Sequence, residues 1–235
     1  NLTLPSAFEN LALDEALLDE AEESATHEGV LRLWESPQPL VVIGRSSRIS
    51  EEANLAYCRE ANVEVLRRVS GGAAIVAGPG CLMYAAILSM QQYPFLQQID
   101  QAHQFVLGKI REAIAAFVPQ VEIAGISDLA VAGKKFSGNS LRCKRSHILY
   151  HGTLLYDFPL ESVAQLLGTP PRQPEYRAGR THLDFITNLS VTRQQLEESL
   201  PIAWQCSEAS MSWPRERTAR LVEEKYSRTD WNQRL

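Results

Sequence analysis

From Asp128 to Phe158 the chain reads DLAVAGKKFSGNSLRCKRSHILYHGTLLYDF. Leu129 and Val131 open an apolar alternation suited to a strand, and Gly133 marks a hairpin point. Strands joined by short turns must run antiparallel, because a parallel pair needs a long crossover. Earlier segments add VLRLW and PLVVIG, separated by the turn-rich ESPQP, then VEVLRRV and CLMYAAILSM. Helical spacing is found in SAFENLALDEALLDEAEES, where Leu11, Leu17, Leu18 and Ala21 share a face and Asp14, Glu15, Asp19, Glu22 and Glu23 cover the other. It recurs in DQAHQFVLGKIREAIAAFV, in PLESVAQLLG, and near the end in TRQQLEESL and PRERTARLVEEKY. Helices and strands in this mixed order, with hairpins, predict one α+β domain over residues 1–235. Its sheet is expected to be mixed or largely antiparallel, not doubly wound.

The 235 residues carry a net charge of −5, so nothing global points to nucleic acid or an anionic membrane. Positive charge is concentrated at Arg67-Arg68, Lys134-Lys135, Arg142 to Arg145 and Arg172 to Arg180. An acidic chain with basic islands suits a small anionic ligand. Cys58, Cys81, Cys143 and Cys206 form no CxxC pair, which argues against zinc and fits a reducing cytoplasm. No apolar run reaches the length of a membrane span, and no signal peptide is visible. The sequence opens on Asn1, not Met, which leaves room upstream for a native start and a short leader.

Two stretches carry candidate chemistry. RRVSGGAAIVAGPGC, Arg67 to Cys81, sets two cations beside four glycines. Bare backbone can approach a ligand closely, and an arginine can fork onto phosphate or carboxylate. The same composition also suits a turn between strands with two solvated arginines. The loop is not a GxxxxGK[ST] phosphate loop. In AGKKFSGNS the two-residue period of a strand puts Lys135, Ser137 and Asn139 on one face, with Gly138 thinning the other. That is either a polar site or an exposed hairpin. His151 lies among apolar strand residues, where a structural role is the commoner one. Asp128 is a strand-entry residue or a metal ligand, and Arg45 follows a buried strand. TPPRQPEYRAGRTH reads as an exposed, mobile loop.

Taken in order, these pieces resemble the catalytic domain of the lipoate–protein ligase A family, within the biotin and lipoyl ligase/transferase superfamily. The resemblance rests on NLALDEALL, LRLWESPQPLVVIGR, RRVSGG, SDLAVAGKKFSGNS, YHGTLL, FITNLS and EKYSRTDWNQR. It implies activation of lipoate or octanoate by ATP with Mg2+, then transfer of the acyl group to a lysine of an acceptor lipoyl domain. Such acceptors are 2-oxoacid dehydrogenase E2 subunits or the glycine cleavage H protein. Lys135 matches the family's catalytic lysine. Arg68, Ser70, Gly71 and Gly72 would face the adenylate, with Ser137, Gly138, Asn139, His151, Gly152, Thr153 and Arg45 as further binding residues and Asp128 as the metal ligand.

Three departures stand out. Where the family commonly has His-Asp and then Gly-Asn, this chain has Ala77, Gly78, Gly80 and Cys81, and the loop's third glycine is Ala73. The chain also stops about where full-length ligases begin a small accessory domain, which raises the expectation of a separate accessory protein. The alternative is an octanoyl or lipoyl transferase that takes its acyl group from a carrier-protein thioester, with Cys81 as nucleophile. A non-catalytic acyl-binding protein is a third reading.

Overall fold

The computed structural model describes residues 1–169, 173–210 and 212–235. Helix α1 (Ala7–Ser24) leads into strands β1 (Val30–Trp34) and β2 (Leu40–Ile43). Two short helices, α2 (Ile49–Glu52) and α3 (Leu55–Glu60), precede β3 (Glu64–Arg67), β4 (Ile75–Ala77) and β5 (Cys81–Ser89). Helix α4 (Ile99–Ala115) is followed by β6 (Glu122–Ala124), β7 (Asp128–Val131), β8 (Lys134–Cys143) and β9 (His147–Leu155). The remainder holds α5 (Glu161–Leu166), α6 (His182–Phe185), α7 (Arg193–Ala203), α8 (Arg215–Leu221) and α9 (Thr229–Asn232).

The large sheet has the order β1-β5-β9-β8-β7-β6 with every neighbour antiparallel. The small sheet, β3-β2-β4, is mixed: β2 runs parallel to β3 and antiparallel to β4. The α+β expectation is met. Strands β1 and β2, neighbours in sequence, belong to different sheets. The parallel β2–β3 pair is reached through α2 and α3, the crossover such a pair requires. Ala132 and Gly133 both take left-handed φ angles, 49° and 69°, and make the β7–β8 turn.

Every residue of β5 and β9 is buried. One apolar cluster covers their first face with residues of α1, β2 and β4; a second covers the other face with α4 and α7. Both faces being covered explains why CLMYAAILS and HILYHGTLL are apolar almost throughout.

Helix α1 begins with a capping box between Ser6 and Glu9. It is more enclosed than its charge pattern suggests: Asn10 and Asp14 are buried with Leu11, Ala12, Leu13 and Leu18. Arg67 is also fully buried. Its guanidinium donates to the carbonyls of Gly44, Arg45 and Ser47 on one side and of Trp231 and Asn232 on the other. The expected exposed loop around residue 175 is likewise anchored. Pro170, Pro171 and Arg172 lie outside the described residues, but Glu175–Arg177 forms a 3-10 turn and Arg177 is buried. Arg180 donates to the carbonyls of Gly133 and Tyr176, and both arginines stack on Phe185.

Candidate active site

A row of side chains crosses the large sheet on the face toward α1. Asp128 stands opposite Gly138, whose register continues to Thr153, and Thr153 pairs with Met83, which pairs with Trp34. The adjacent row contains Ser140, His151, Ala85 and Arg32. The glycine loop and β4 lie over these rows. Between them is a cavity of about 770 Å³ lined by Arg68, Gly72–Ile75, Asp128, Lys135, Gly138–Ser140 and His151–Thr153. Leu11, Val42 and Met83 add apolar wall, and Tyr176 borders it from the 3-10 turn.

The strand period fails at the most important position. Ala130 pairs with Lys135 and Leu129 with Ser137, so Phe136 is the extra residue of a β-bulge. The bulge puts Lys135 on the face of Gly138 and Ser140. Ser137 and Asn139 go to the other face, contrary to the simple alternation. Ser137 is fully buried, and the Asn139 side chain accepts from Tyr84 Oη at 2.6 Å and donates to Ser127 O at 2.8 Å. Gly152 makes room for that amide, since a Cβ there would lie 1.8 Å from Asn139 Oδ1.

Lys135 folds back over Gly138, where a Cβ would lie 2.8 Å from Lys135 Nζ. Its ammonium meets Asp128 Oδ1 at 2.8 Å, with the lysine side chain 27% exposed. Asp128 Oδ2 accepts from Tyr176 Oη at 2.8 Å. Burial and the Asp128 charge push the Tyr176 phenol well up, so it stays a proton donor. Tyr176 is wedged between Phe185 and the Gly125 turn.

Arg68 is buried and holds the loop from within. It donates from Nε to Ser70 Oγ (3.1 Å), from Nη1 to Val42 O (3.1 Å) and from Nη2 to Gly71 O (2.5 Å) and Ala73 O (3.0 Å). Burial draws its pKa down to about 10, with Glu52 opposing, so it remains cationic at neutral pH. The Glu52 carboxylate accepts the Ala74 N–H.

Ser70 also contacts His151 Nε2 at 2.5 Å, and His151 Nδ1 faces Asp14 Oδ2 at 3.4 Å. Asp14 Oδ1 meets Arg32 Nη1 at 2.5 Å. The carboxylate favours the tautomer with a proton on Nδ1, leaving Nε2 to accept from Ser70. Ser70 does not line the cavity, so this relay positions His151 and Arg68 and offers no accessible serine nucleophile.

Arg68, Gly72, Asp128, Lys135, Gly138, Asn139, His151, Gly152 and Thr153 thus border one space. Gly71 receives Ser140 Oγ on its carbonyl at the rim. Arg45 is exposed and outside the lining. Cys81 faces neither cavity nor solvent; it is fully buried, and burial, then Glu35, push its thiol pKa far up. That environment opposes the thiolate a nucleophile needs. Both oxygens of Asp128 are engaged by Lys135 and Tyr176. Among the described residues no group of three or more His, Cys, Asp or Glu is placed to hold a metal. These residues do not form a Mg2+ site by themselves. No helix among the described residues is long and apolar enough to cross a membrane.

Sequence reasoning missed Ser140, Tyr176, Glu52 and the relay through Asp14 and Arg32. The FSGNS segment offered the one available signal for Ser140, a serine beyond a glycine that a bulge could turn inward. Nothing local marks Tyr176.

The model of the lipoyl protein ligase A/B catalytic domain matches residues 6–203. The chain is 28% identical over 155 residues to lipoate-protein ligase LplJ of Bacillus subtilis, covering 65% of this chain and 45% of that protein. It is 30% identical over 146 residues to a putative lipoate-protein ligase A of Aeropyrum pernix, covering 62% and 52%. The chain therefore spans about half the length of the curated relatives it matches. Among solved structures, the bipartite lipoate protein ligase of Thermoplasma acidophilum superposes with a TM-score of 0.81 at 19% identity, over 99% of this chain and 94% of that one. A lipoate-protein ligase A bound with ATP superposes at 0.76, also at 19% identity, over 98% and 95%. At these identities the superpositions establish the shared fold.

Proposed function

The chain belongs to the lipoyl protein ligase A/B catalytic-domain family, and from that premise we propose that it attaches lipoate or octanoate to a lysine of an acceptor lipoyl domain. One observation carries the reading: Lys135 Nζ is held over Gly138 in a cavity lined also by the Arg68 guanidinium and by the apolar Leu11, Val42, Ile75 and Met83. Cations and hydrocarbon lining one cavity suit an amphiphilic carboxylic acid.

In this reading the tail lies along the apolar wall and the carboxylate faces Lys135. A carboxylate oxygen attacks the α-phosphorus of ATP and pyrophosphate leaves, giving an acyl-adenylate. The acceptor's amine then attacks the acyl carbon, a C–N bond forms, the bond to AMP breaks, and the amine proton passes to solvent or the departing phosphate. Lys135 stabilises the charge that grows on the carbonyl and phosphate oxygens. Arg68 acts by holding the loop carbonyls of Gly71 and Ala73, and His151 by holding Ser70 against Arg68. The ATP-bound ligase and the ligase described with its E2 lipoyl domain support this assignment of substrate and acceptor. The bipartite relative supports a requirement for a separate accessory chain. The burial of Cys81 weighs against the cysteine transferase.

The test is mass spectrometry of an apo-lipoyl domain, from an E2 subunit or an H protein, after incubation with this chain and lipoate or octanoate. ATP and an accessory chain are each present or absent. ATP-dependent acylation that disappears in Lys135→Ala is expected. Acylation from octanoyl-carrier protein without ATP would replace the ligase reading with the transferase.

A further inference from the structure

One stretch of chain holds Lys135 at three places. On the backbone, Thr187 N donates to Lys135 O at 2.9 Å, and Ile186 makes a parallel bridge with Lys135. At the β7–β8 turn, Arg180 donates to Gly133 O at 3.0 Å. The third hold reaches the side chain. Asp128 Oδ1 meets Lys135 Nζ, and Asp128 Oδ2 accepts from Tyr176 Oη, both at 2.8 Å. An ammonium on a four-carbon stem is a flexible point charge, so it takes its place from its partner. A carboxylate gripped at one oxygen can still turn about its broad terminal torsion; gripped at both, it is fixed. The Tyr176 ring is itself set. It lies 5.0 Å from Phe185, and a Cβ on Gly125 would come within 3.2 Å of it. Arg180 also donates to Tyr176 O at 2.7 Å.

We propose that Tyr176 is a positioning residue for Lys135, acting through Asp128, and that residues 173–187 form the strap that aims the lysine. This role rests on the reading of Lys135 given above and adds the residue that fixes its direction. Tyr176 borders the cavity, but its hydroxyl is committed to Asp128. Its effect on the reaction therefore passes through the carboxylate to the ammonium. Stabilising charge that grows on carbonyl and phosphate oxygens needs a donor already in place, and a small displacement of that donor costs rate. Hydrocarbon contacts with the acid do not involve the Tyr176 hydroxyl, so losing it lowers turnover and spares the affinity for the acid.

Tyr176→Phe tests this, because it keeps the ring and removes only the hydroxyl. Acylation of an apo-lipoyl domain by the whole chain is followed with lipoate and ATP, and with an accessory chain where the wild type requires one. Thermal melts check that the variant folds. Its kcat is expected to fall about tenfold, the effect of one hydrogen bond to a charged group, with KM for lipoate unchanged. A crystal structure of the variant is expected to show Lys135 Nζ displaced from Asp128 Oδ1. An unchanged kcat overturns the role. A raised KM, which a direct contact between Tyr176 and the acid would give, overturns it too. So does a lower kcat with the 2.8 Å ammonium contact intact in the crystal. A wild type that acylates no lipoyl domain under any of these conditions overturns instead the reading of Lys135 on which the role rests.

Discussion

Arg32→Met should be among the most damaging single substitutions in this chain. Arg32 and Asp14 meet at 2.5 Å with both side chains only 3% exposed. The guanidinium also donates to Leu2 O, Asn10 O and Asn10 Oδ1, and it stacks on Trp34. Burial draws the Arg32 pKa down and Asp14 opposes that pull, which marks a charge that depends on its partner. Methionine would leave the Asp14 carboxylate buried, facing among the described residues only His151 Nδ1 at 3.4 Å. Breaking a buried pair from one side costs about 3–5 kcal/mol. For a chain of this size each kcal/mol lowers Tm by about 2–4 °C, so a drop of about 6–20 °C is expected. Urea unfolding followed by circular dichroism should show the midpoint falling with an unchanged slope. Asp14→Leu alone should cost a similar amount by stranding the arginine. The double variant Asp14→Leu/Arg32→Met should recover at least half the loss, because no unpaired charge remains. A cost below about 1 kcal/mol for Arg32→Met, or a double variant no better than the singles, would refute the assignment of this pair as a desolvated anchor of the His151 relay.

Acid should loosen the β8–β9 turn before the rest. The Glu22 carboxylate is opposed by burial, but hydrogen bonds from Ser146, His147 and Arg145 outweigh this and hold its pKa below the ordinary value. A depressed carboxylate pKa contributes stability that is complete above the unfolded value near 4.3 and is lost as pH falls through the folded value. Hydrogen exchange at Ser146 and His147, corrected for intrinsic rates, should therefore accelerate below about pH 4, and Glu22→Gln should show that fast exchange already at pH 7. Iodoacetamide should label Cys143 and Cys206 ahead of Cys58 and Cys81, since the first two are exposed and the others buried; peptide mapping that finds Cys81 first would reopen the thiol mechanism. Gly152→Ala should destabilise by about 1–3 kcal/mol through overpacking, because the new Cβ would meet Asn139 Oδ1 at 1.8 Å. Combining it with Asn139→Ala should relieve most of that cost, and a merely additive loss in the thermal melts would contradict this geometry.

What the chain declares locally is its inventory of elements. Alternation and glycine placement expose β7, the β7–β8 turn and β8, and the unbroken apolar runs expose β5 and β9, because each signal depends on neighbours a few residues away. The family motifs are equally local, which is why Lys135, Arg68 and His151 could be picked from the sequence. The tertiary structure decided which of these residues face one another. One inserted residue, Phe136, reversed the strand parity and sent Lys135 into the cavity and Ser137 out of it. Asp14 was placed by helical period among surface charges, yet packing took it out of water and gave it Arg32 and His151. Tyr176 reached Asp128 from a proline-rich stretch far along the chain, and Cys81 was taken out of solvent by the core that closes around it. Desolvation and register depend on partners remote in sequence, so no window of residues contains them.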